Sequence, residues 1–264
     1  MMDSYGMRSQ ALDAIEEALT YSTLGISPDD GENDVGSCVA LSYEGKKFIV
    51  TARHVVEGKD HHDFRFYFRD DEPQRRITIK ELTSIQTMSG RQWIRIPVAT
   101  IILSDEIDDL ALLLIDQDYN LKNLRFYNLH SESIIYEEGR DLVLFGFAQE
   151  LIRTAENIYT GERGYALISC FEWRSIISAT KPLNNYDPSK HFLMEFYHDD
   201  QGIASPKAMS GCGVWIPKKL SKPGIWVPED NITLCGIQSS WYEDSRILKA
   251  TKIERLLALL NTSQ

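Results

Sequence analysis

The chain has 264 residues, enough for one large domain or two small ones. At 43% hydrophobic and 25% charged residues it has the composition of a globular protein that buries ~70% of its unfolded surface and needs no staples. Its formal charge of −11, with no large basic cluster, argues against a nucleic-acid binder, and no apolar run approaches membrane-spanning length.

Residues 8–20 place Ala11, Leu12, Ile15, Ala18 and Leu19 at helical spacing, with Glu16 and Glu17 facing elsewhere. The spacing predicts an amphipathic helix of about three turns. Residues 28–36, rich in Pro, Asp, Glu and Gly, predict a linker. From Gly36 the pattern changes to strands. Ser37–Tyr43, a turn at Glu44-Gly45-Lys46, and Lys47–Thr51 predict a hairpin ending near His54. Asp63–Arg69, Arg75–Leu82, Arg91–Leu103 (after a turn at Ser89-Gly90) and Leu110–Ile115 complete a first strand set. Six or so short strands predict a small barrel. Residues 116–140 are polar and irregular, a bridge between two halves. Asp141–Phe147, Tyr165–Trp173, Phe192–Tyr197, Gly213–Ile216 and Leu234–Ser239 predict a second set. Ile253, Leu256, Leu257 and Leu260 predict a terminal helix over residues 250–261. No internal repeat or low-complexity run is present.

The amino-terminal residues lack a basic start followed by an apolar core, so no secretory leader is expected. Cys38, Cys170, Cys212 and Cys235 are scattered without Cys-x-x-Cys spacing. They predict neither a zinc site nor a disulfide framework, and fit buried thiols in a reducing compartment. His61 and His62 stand in a charged loop that reads as solvated rather than metal-binding. His130, His191 and His198 have no partner signature.

Three stretches carry chemistry. Phe48–Val56 is an apolar strand that delivers His54 at its end. Ile107–Ile115 places Asp109 at the mouth of another, with Asp108 and Asp105 as neighbouring alternatives. Pro206–Trp215 holds Ser210 in a turn of small residues, with Gly211 and Gly213 free of Cβ clashes. A histidine, an acid and a serine, in that order, form the set that serine hydrolases use: the base takes the hydroxyl proton and the acid orients the base. Each residue also has a plain structural reading, as a strand cap, a strand start or a turn.

Through these residues the chain resembles the chymotrypsin/trypsin-like serine peptidases. Thr51-Ala52-Arg53-His54 resembles the family's Thr-Ala-Ala-His. Asp109-Leu110-Ala111-Leu112-Leu113 resembles its Asp-Ile-x-Leu-Leu. Ala208-Met209-Ser210-Gly211 resembles its Gly-x-Ser-Gly, and Gly236-Ile237-Gln238-Ser239 its pocket strand. The resemblance spans about residues 34–248 and looks more like the bacterial, intracellular or viral branches than the digestive enzymes. It implies an all-β protein of two six-stranded antiparallel barrels, flanked by helices. The implied divisions are helix and linker (1–33), first barrel with His54 and Asp109 (34–120), connection (121–140), second barrel with Ser210 (141–248), and helix (249–264).

The resemblance further implies an endopeptidase acting on a restricted protein or peptide substrate, with no cofactor, metal, membrane or nucleic acid, and with room for a regulatory protein partner. His54 would be the base, Asp109 the orienting acid and Ser210 the nucleophile. The backbone N–H groups of Ala208 and Ser210 would form the oxyanion hole. Ala208 departs from the family's glycine. Met209 replaces the aspartate of zymogen-type relatives, so activation by cleavage near residues 28–36 is not expected. Ala204, Ser239 and Trp241 would line the substrate pocket. Ala204 leaves it without a trypsin-type acidic floor, although Asp199 and Asp200 are close in the chain, and Trp241 would narrow it toward small side chains. A non-catalytic binding module on the same fold is the alternative that Ala208 favours, and an esterase with the same three residues is a third.

Overall fold

The computed structural model describes residues 15, 18–27, 36–59, 64–69, 91–94, 96–116, 124–130, 141–148, 165–172, 183–196, 205–217 and 232–263. The expected strand at 75–82, the turn at Ser89-Gly90, the bulk of the linker, His61, His62, His198, Asp199, Asp200 and Ala204 lie outside them. The strands are β1 (Thr23–Ser27), β2 (Gly36–Tyr43), β3 (Lys46–Ala52), β4 (Arg65–Arg69), β5 (Arg91–Ile94), β6 (Val98–Leu103), β7 (Leu110–Ile115) and β8 (Tyr127–Asn128), then β9 (Asp141–Phe147), β10 (Tyr165–Glu172), β11 (His191–Glu195), β12 (Gly213–Pro217), β13 (Ile232–Tyr242) and β14 (Ile247–Lys252). Two α-helices are α1 (Arg53–Val56) and α2 (Ile253–Thr262), with a 3-10 turn at Glu243–Ser245 between β13 and β14. Residues 18–20 are helical too, and Ile15 and Leu19 are buried as their spacing predicts.

Local chemistry explains the β2–β3 hairpin. Its turn is two residues, Glu44 at φ 48° and Gly45 at φ 80°, the doubly left-handed geometry whose twist matches the flanking strands. Tyr43 and Lys46 close it.

The first sheet runs β5-β4-β1-β2-β3-β7-β6, with β8 added in parallel beside β2. Residues 95–97 join β5 to β6, so both ends of this ladder are one run of chain. The second sheet is a closed barrel, β10-β11-β14-β13-β12-β9. Counting the β5–β6 run once and leaving β8 aside, each sheet has six strands. Numbered in chain order, both sets have the neighbour order 1-2-3-6-5-4. The two-barrel expectation therefore holds, and the halves share one Greek-key path without sharing sequence.

Three elements differ from the expectation. β1 falls just before the expected linker, and all five of its residues are buried. β8 is a short strand inside the stretch expected to be irregular. β14 takes residues 247–252, so the second barrel's last strand reaches Lys252 and the terminal helix starts at Ile253 instead of residue 250.

Three apolar cores follow from strand alternation. Leu24, Ile26, Cys38, Ala40, Ile49, Ala111 and Leu113 fill the first barrel. Leu142, Leu144, Met194, Met209, Cys212, Val214, Leu248 and Ala250 fill the second. The opposite faces of the same strands, including Val39, Leu41, Leu110, Leu112, Val143, Phe145 and Phe147, meet between the barrels with Trp215, Ile253, Leu256 and Leu260. Leu110–Ile115 is continuously apolar because both its faces are buried. Among the described residues no helix is long and apolar enough to cross a membrane.

Candidate active site

The register of β3 against β7 brings the first two residues together. Thr51 pairs with Ala111 and Ala52 with Leu110. The next rung joins Arg53 to Asp109, and the Arg53 N–H donates to the Asp109 carbonyl over 3.0 Å. α1 then turns the chain so that the His54 ring faces Asp109. His54 Nδ1 lies 2.8 Å from Asp109 Oδ2, and the His54 backbone N–H donates to Oδ1 over 3.0 Å. A carboxylate only accepts, so Nδ1 carries a proton, and in the neutral ring Nε2 keeps its lone pair. Asp109 takes a left-handed φ of 49°, a region that aspartate enters more readily than most residues. Its side chain is mostly buried, whereas the His54 side chain is 50% exposed.

The neighbouring acids face elsewhere. Asp108 is bound by Arg255 of α2 and by Lys190. Asp105 accepts the Asp108 N–H over 2.7 Å and pairs with Lys190. The Asp108 N–H and then Lys190 hold the Asp105 carboxyl below its ordinary value.

The Ser210 turn is held from both barrels. Within it the Met209 N–H donates to Pro206 O over 3.1 Å and the Cys212 N–H to Met209 O over 2.9 Å. The Gly211 N–H donates to Gln238 O of β13 over 2.8 Å, and the Met209 side chain is fully buried in the second barrel. From β2, the Ser37 N–H donates to Ser210 O over 2.8 Å and the Ser37 hydroxyl to Ala208 O over 2.9 Å. The same hydroxyl accepts the Phe147 N–H of β9 over 2.8 Å, and Thr51 Oγ1 donates to Ser37 O over 2.7 Å.

Gly211 is required twice over. Its φ is +92°, and a Cβ there would stand 2.1 Å from Ser37 O and 2.2 Å from Thr51 Oγ1. Ala208 also takes a left-handed φ, 71°, with a Cβ to strain it. Among the described residues the backbone N–H groups of Ala208 and Ser210 make no hydrogen bond. The two halves of the site meet at Gly36, whose ideal Cβ position lies 2.7 Å from Val55 Cγ1 and 3.3 Å from Ser210 O. Among the described residues no hydrogen bond joins the Ser210 hydroxyl to the His54 ring.

The expected pocket residues are placed in part. Ser239 is buried at a bulge between Gln238 and Ser240, and its hydroxyl donates to Lys249 O over 3.4 Å. Trp241 pairs with Leu248 and meets the Phe196 ring edge-to-face at 5.1 Å, so the indole packs onto the second barrel's core. Lys249 is itself buried; its Nζ donates to Asn185 O over 3.0 Å, and burial pushes its pKa down. Among the described residues no group of three or more His, Cys, Asp or Glu side chains is arranged to hold a metal.

Sequence reasoning missed Ser37, Arg53 and His191. Arg53 donates from a guanidinium nitrogen to Ser104 O over 2.7 Å and pairs with Glu57, bracing the segment that leads to Asp109. His191 does so from the other barrel, with Nε2 2.8 Å from Ile107 O.

No protein-family model matches the chain. No curated protein matches it either. Among solved structures, the scabies mite inactivated protease paralogue S-I1 matches with a TM-score of 0.60 at 13% identity, over 94% of this chain and 95% of that one. GrC matches with a TM-score of 0.59 at 14% identity, over 94% and 95%. A serine-to-alanine mutant of Rv3671c from M. tuberculosis H37Rv, in an inactive form, matches with a TM-score of 0.52 at 13% identity, over 96% and 92%. The fold is chymotrypsin-like. At these identities the likeness is one of fold, and two of the three chymotrypsin-like neighbours are described as inactivated or inactive.

Proposed function

We propose that this protein is a trypsin-like serine endopeptidase that cleaves a restricted protein or peptide substrate through an acyl-enzyme. The observation that carries the reading is the His54–Asp109 pair, which fixes the ring with Nε2 as the base, on the barrel whose β2 braces the Ser210 turn. Ser210 Oγ attacks the scissile carbonyl carbon while its proton passes to His54 Nε2. The carbonyl π electrons move onto oxygen, where the free N–H groups of Ala208 and Ser210 meet the developing charge. Collapse breaks the C–N bond, and His54 returns the proton to the leaving amine. Water then attacks the ester by the same steps and frees Ser210. Asp109 holds the imidazole tautomer and stabilises the imidazolium. The hydroxyl reaches Nε2 as substrate closes the site, since catalytic hydrogen bonds are often long in the free enzyme.

This chemistry asks for no metal or cofactor, and the charge of −11 leaves peptides rather than nucleic acid as the substrate class. Trp241, expected from the sequence beside the substrate pocket, favours small substrate side chains over Arg or Lys. With Met209 anchored in the apolar core, cleavage at residues 28–36 is not needed for activity. Cys38, Cys212 and Cys235 are buried and, among the described residues, in no disulfide, which supports a reducing, intracellular setting, and the Met209-Ser210-Gly211 segment supports a bacterial origin. A regulatory protein partner fits an enzyme that must be restrained there.

A fluorophosphonate probe tests the reading. Wild type should label, and Ser210→Ala should not. Failure of wild type to label favours the second reading, a protein-binding module on this fold. The left-handed Ala208 and the absent Ser210–His54 hydrogen bond are the observations on its side.

A further inference from the structure

We propose that Asp108 and Arg255 are positioning residues for the acid of the site, coupling the C-terminal helix α2 to the His54–Asp109 pair. Residues 105–108 stand immediately before Asp109 and are held by the opposite half of the molecule. The Ile107 carbonyl lies 2.8 Å from His191 Nε2, and the Asp108 carbonyl accepts the Thr251 hydroxyl over 2.6 Å. The Asp108 carboxylate is buried and accepts from Arg255 Nε and a terminal guanidinium nitrogen at 2.9 and 2.6 Å, with Lys190 Nζ 3.0 Å away. Without Arg255 the buried Asp108 carboxylate would keep only Lys190 and lose both donors to Oδ2, freeing it to shift toward water and carry its neighbour along. Its neighbour is Asp109, whose backbone is held at a left-handed φ by the Asp105 carbonyl on one side and the Arg53 N–H on the other.

α2 is placed to transmit this. Ile253, Leu256 and Leu260 lie in the core between the barrels, and Tyr43 Oη donates to Asn261 over 2.8 Å at the far end of the helix. Arg255 therefore reaches Asp108 from an element fixed to both barrels. His54 and Asp109 stand on the first barrel and Ser210 on the second, so this contact aligns the acid and base with the nucleophile's half.

The inference rests on the proposed reaction only for its kinetic arm. In the full chain, the hydrogen-bonded His54 Nδ1 proton is followed by NMR, and ester hydrolysis is measured alongside. Arg255→Met should lose the proton signal to exchange and lower kcat by about tenfold with KM within about twofold. Arg255→Lys should restore most of both. An unchanged signal and kcat in Arg255→Met, with only a lower melting temperature, would reduce the pair to a structural clip and overturn the proposal. Should Arg255→Met fail to fold, the double variant Asp108→Asn with Arg255→Met, which removes both partners of the ion pair, decides. Loss of the signal in it supports the proposal, and a wild-type signal overturns it. A signal lost in these variants while wild type hydrolyses no ester would uphold the positioning role and refute the peptidase reading.

Discussion

The Ser37 hydroxyl donates to the Ala208 carbonyl over 2.9 Å, joining β2 of the first barrel to the turn that carries Ser210 in the second. One oxygen thus orients the peptide beside the candidate oxyanion hole while accepting the Phe147 N–H. Ser37→Ala removes this donor from a part-buried carbonyl and this acceptor from a buried N–H. The expected loss is about 1–3 kcal/mol in a denaturant titration. Fluorophosphonate labelling should slow as well. Labelling at the wild-type rate would show that the turn holds its shape without this hydroxyl.

Gly211 and Ala208 share left-handed backbone and should respond in opposite directions. Gly211→Ala meets both the φ penalty and the contacts with Ser37 O and Thr51 Oγ1, so little soluble protein is expected. Ala208→Gly removes the Cβ and keeps the N–H. It should raise stability by up to about 1 kcal/mol and leave labelling no slower. Slower labelling in Ala208→Gly would mean that the alanine methyl helps to fix the hole.

Asp109 and Asp108 are adjacent yet separable. Asp109→Asn removes the acceptor that fixes the His54 tautomer, and labelling should fall by about a thousandfold or more. Asp108→Asn should cost far less, because Asp108 faces Arg255 and Lys190 rather than the ring. Equal losses would contradict this division of roles.

His191 predicts the acid limb of stability. Burial pushes its imidazole below the ordinary value, and the Asp187 N–H donates to Nδ1 over 3.0 Å. The folded form therefore takes up a proton less readily than the unfolded one. Its contribution is complete above about pH 6.5 and is lost as pH falls from there through the depressed folded value. Melting temperature should drop between pH 7.5 and 5, and His191→Gln should flatten that slope. Identical slopes in the two proteins would clear His191 of the effect.

The sequence made much of this readable, for a physical reason. His54 follows one strand buried on both faces and Asp109 precedes another, so an apolar run marks each position, and the β3–β7 register does the rest. The Ser210 turn was visible through its small residues. Ser37 was not, because its partners come from β9 and from a turn 171 residues away, and only the Greek-key order gathers them. The Arg255–Asp108 contact, across 147 residues, was hidden likewise. β14 was misread in part because Lys249 sits buried where a polar residue signals solvent, and because the strand runs straight into α2. β1 is five residues long, with Thr, Gly and Ser among them, too short and mixed to show a period.

The strands between the barrels turn one apolar face inward and the other toward the neighbouring half. Cutting the connection would therefore not release two soluble pieces. Each would present Leu110 and Leu112, or Val143, Phe145 and Trp215, to water as a sticky wall. Melting should accordingly be a single event, with no stage at which one half stands while the other has come apart.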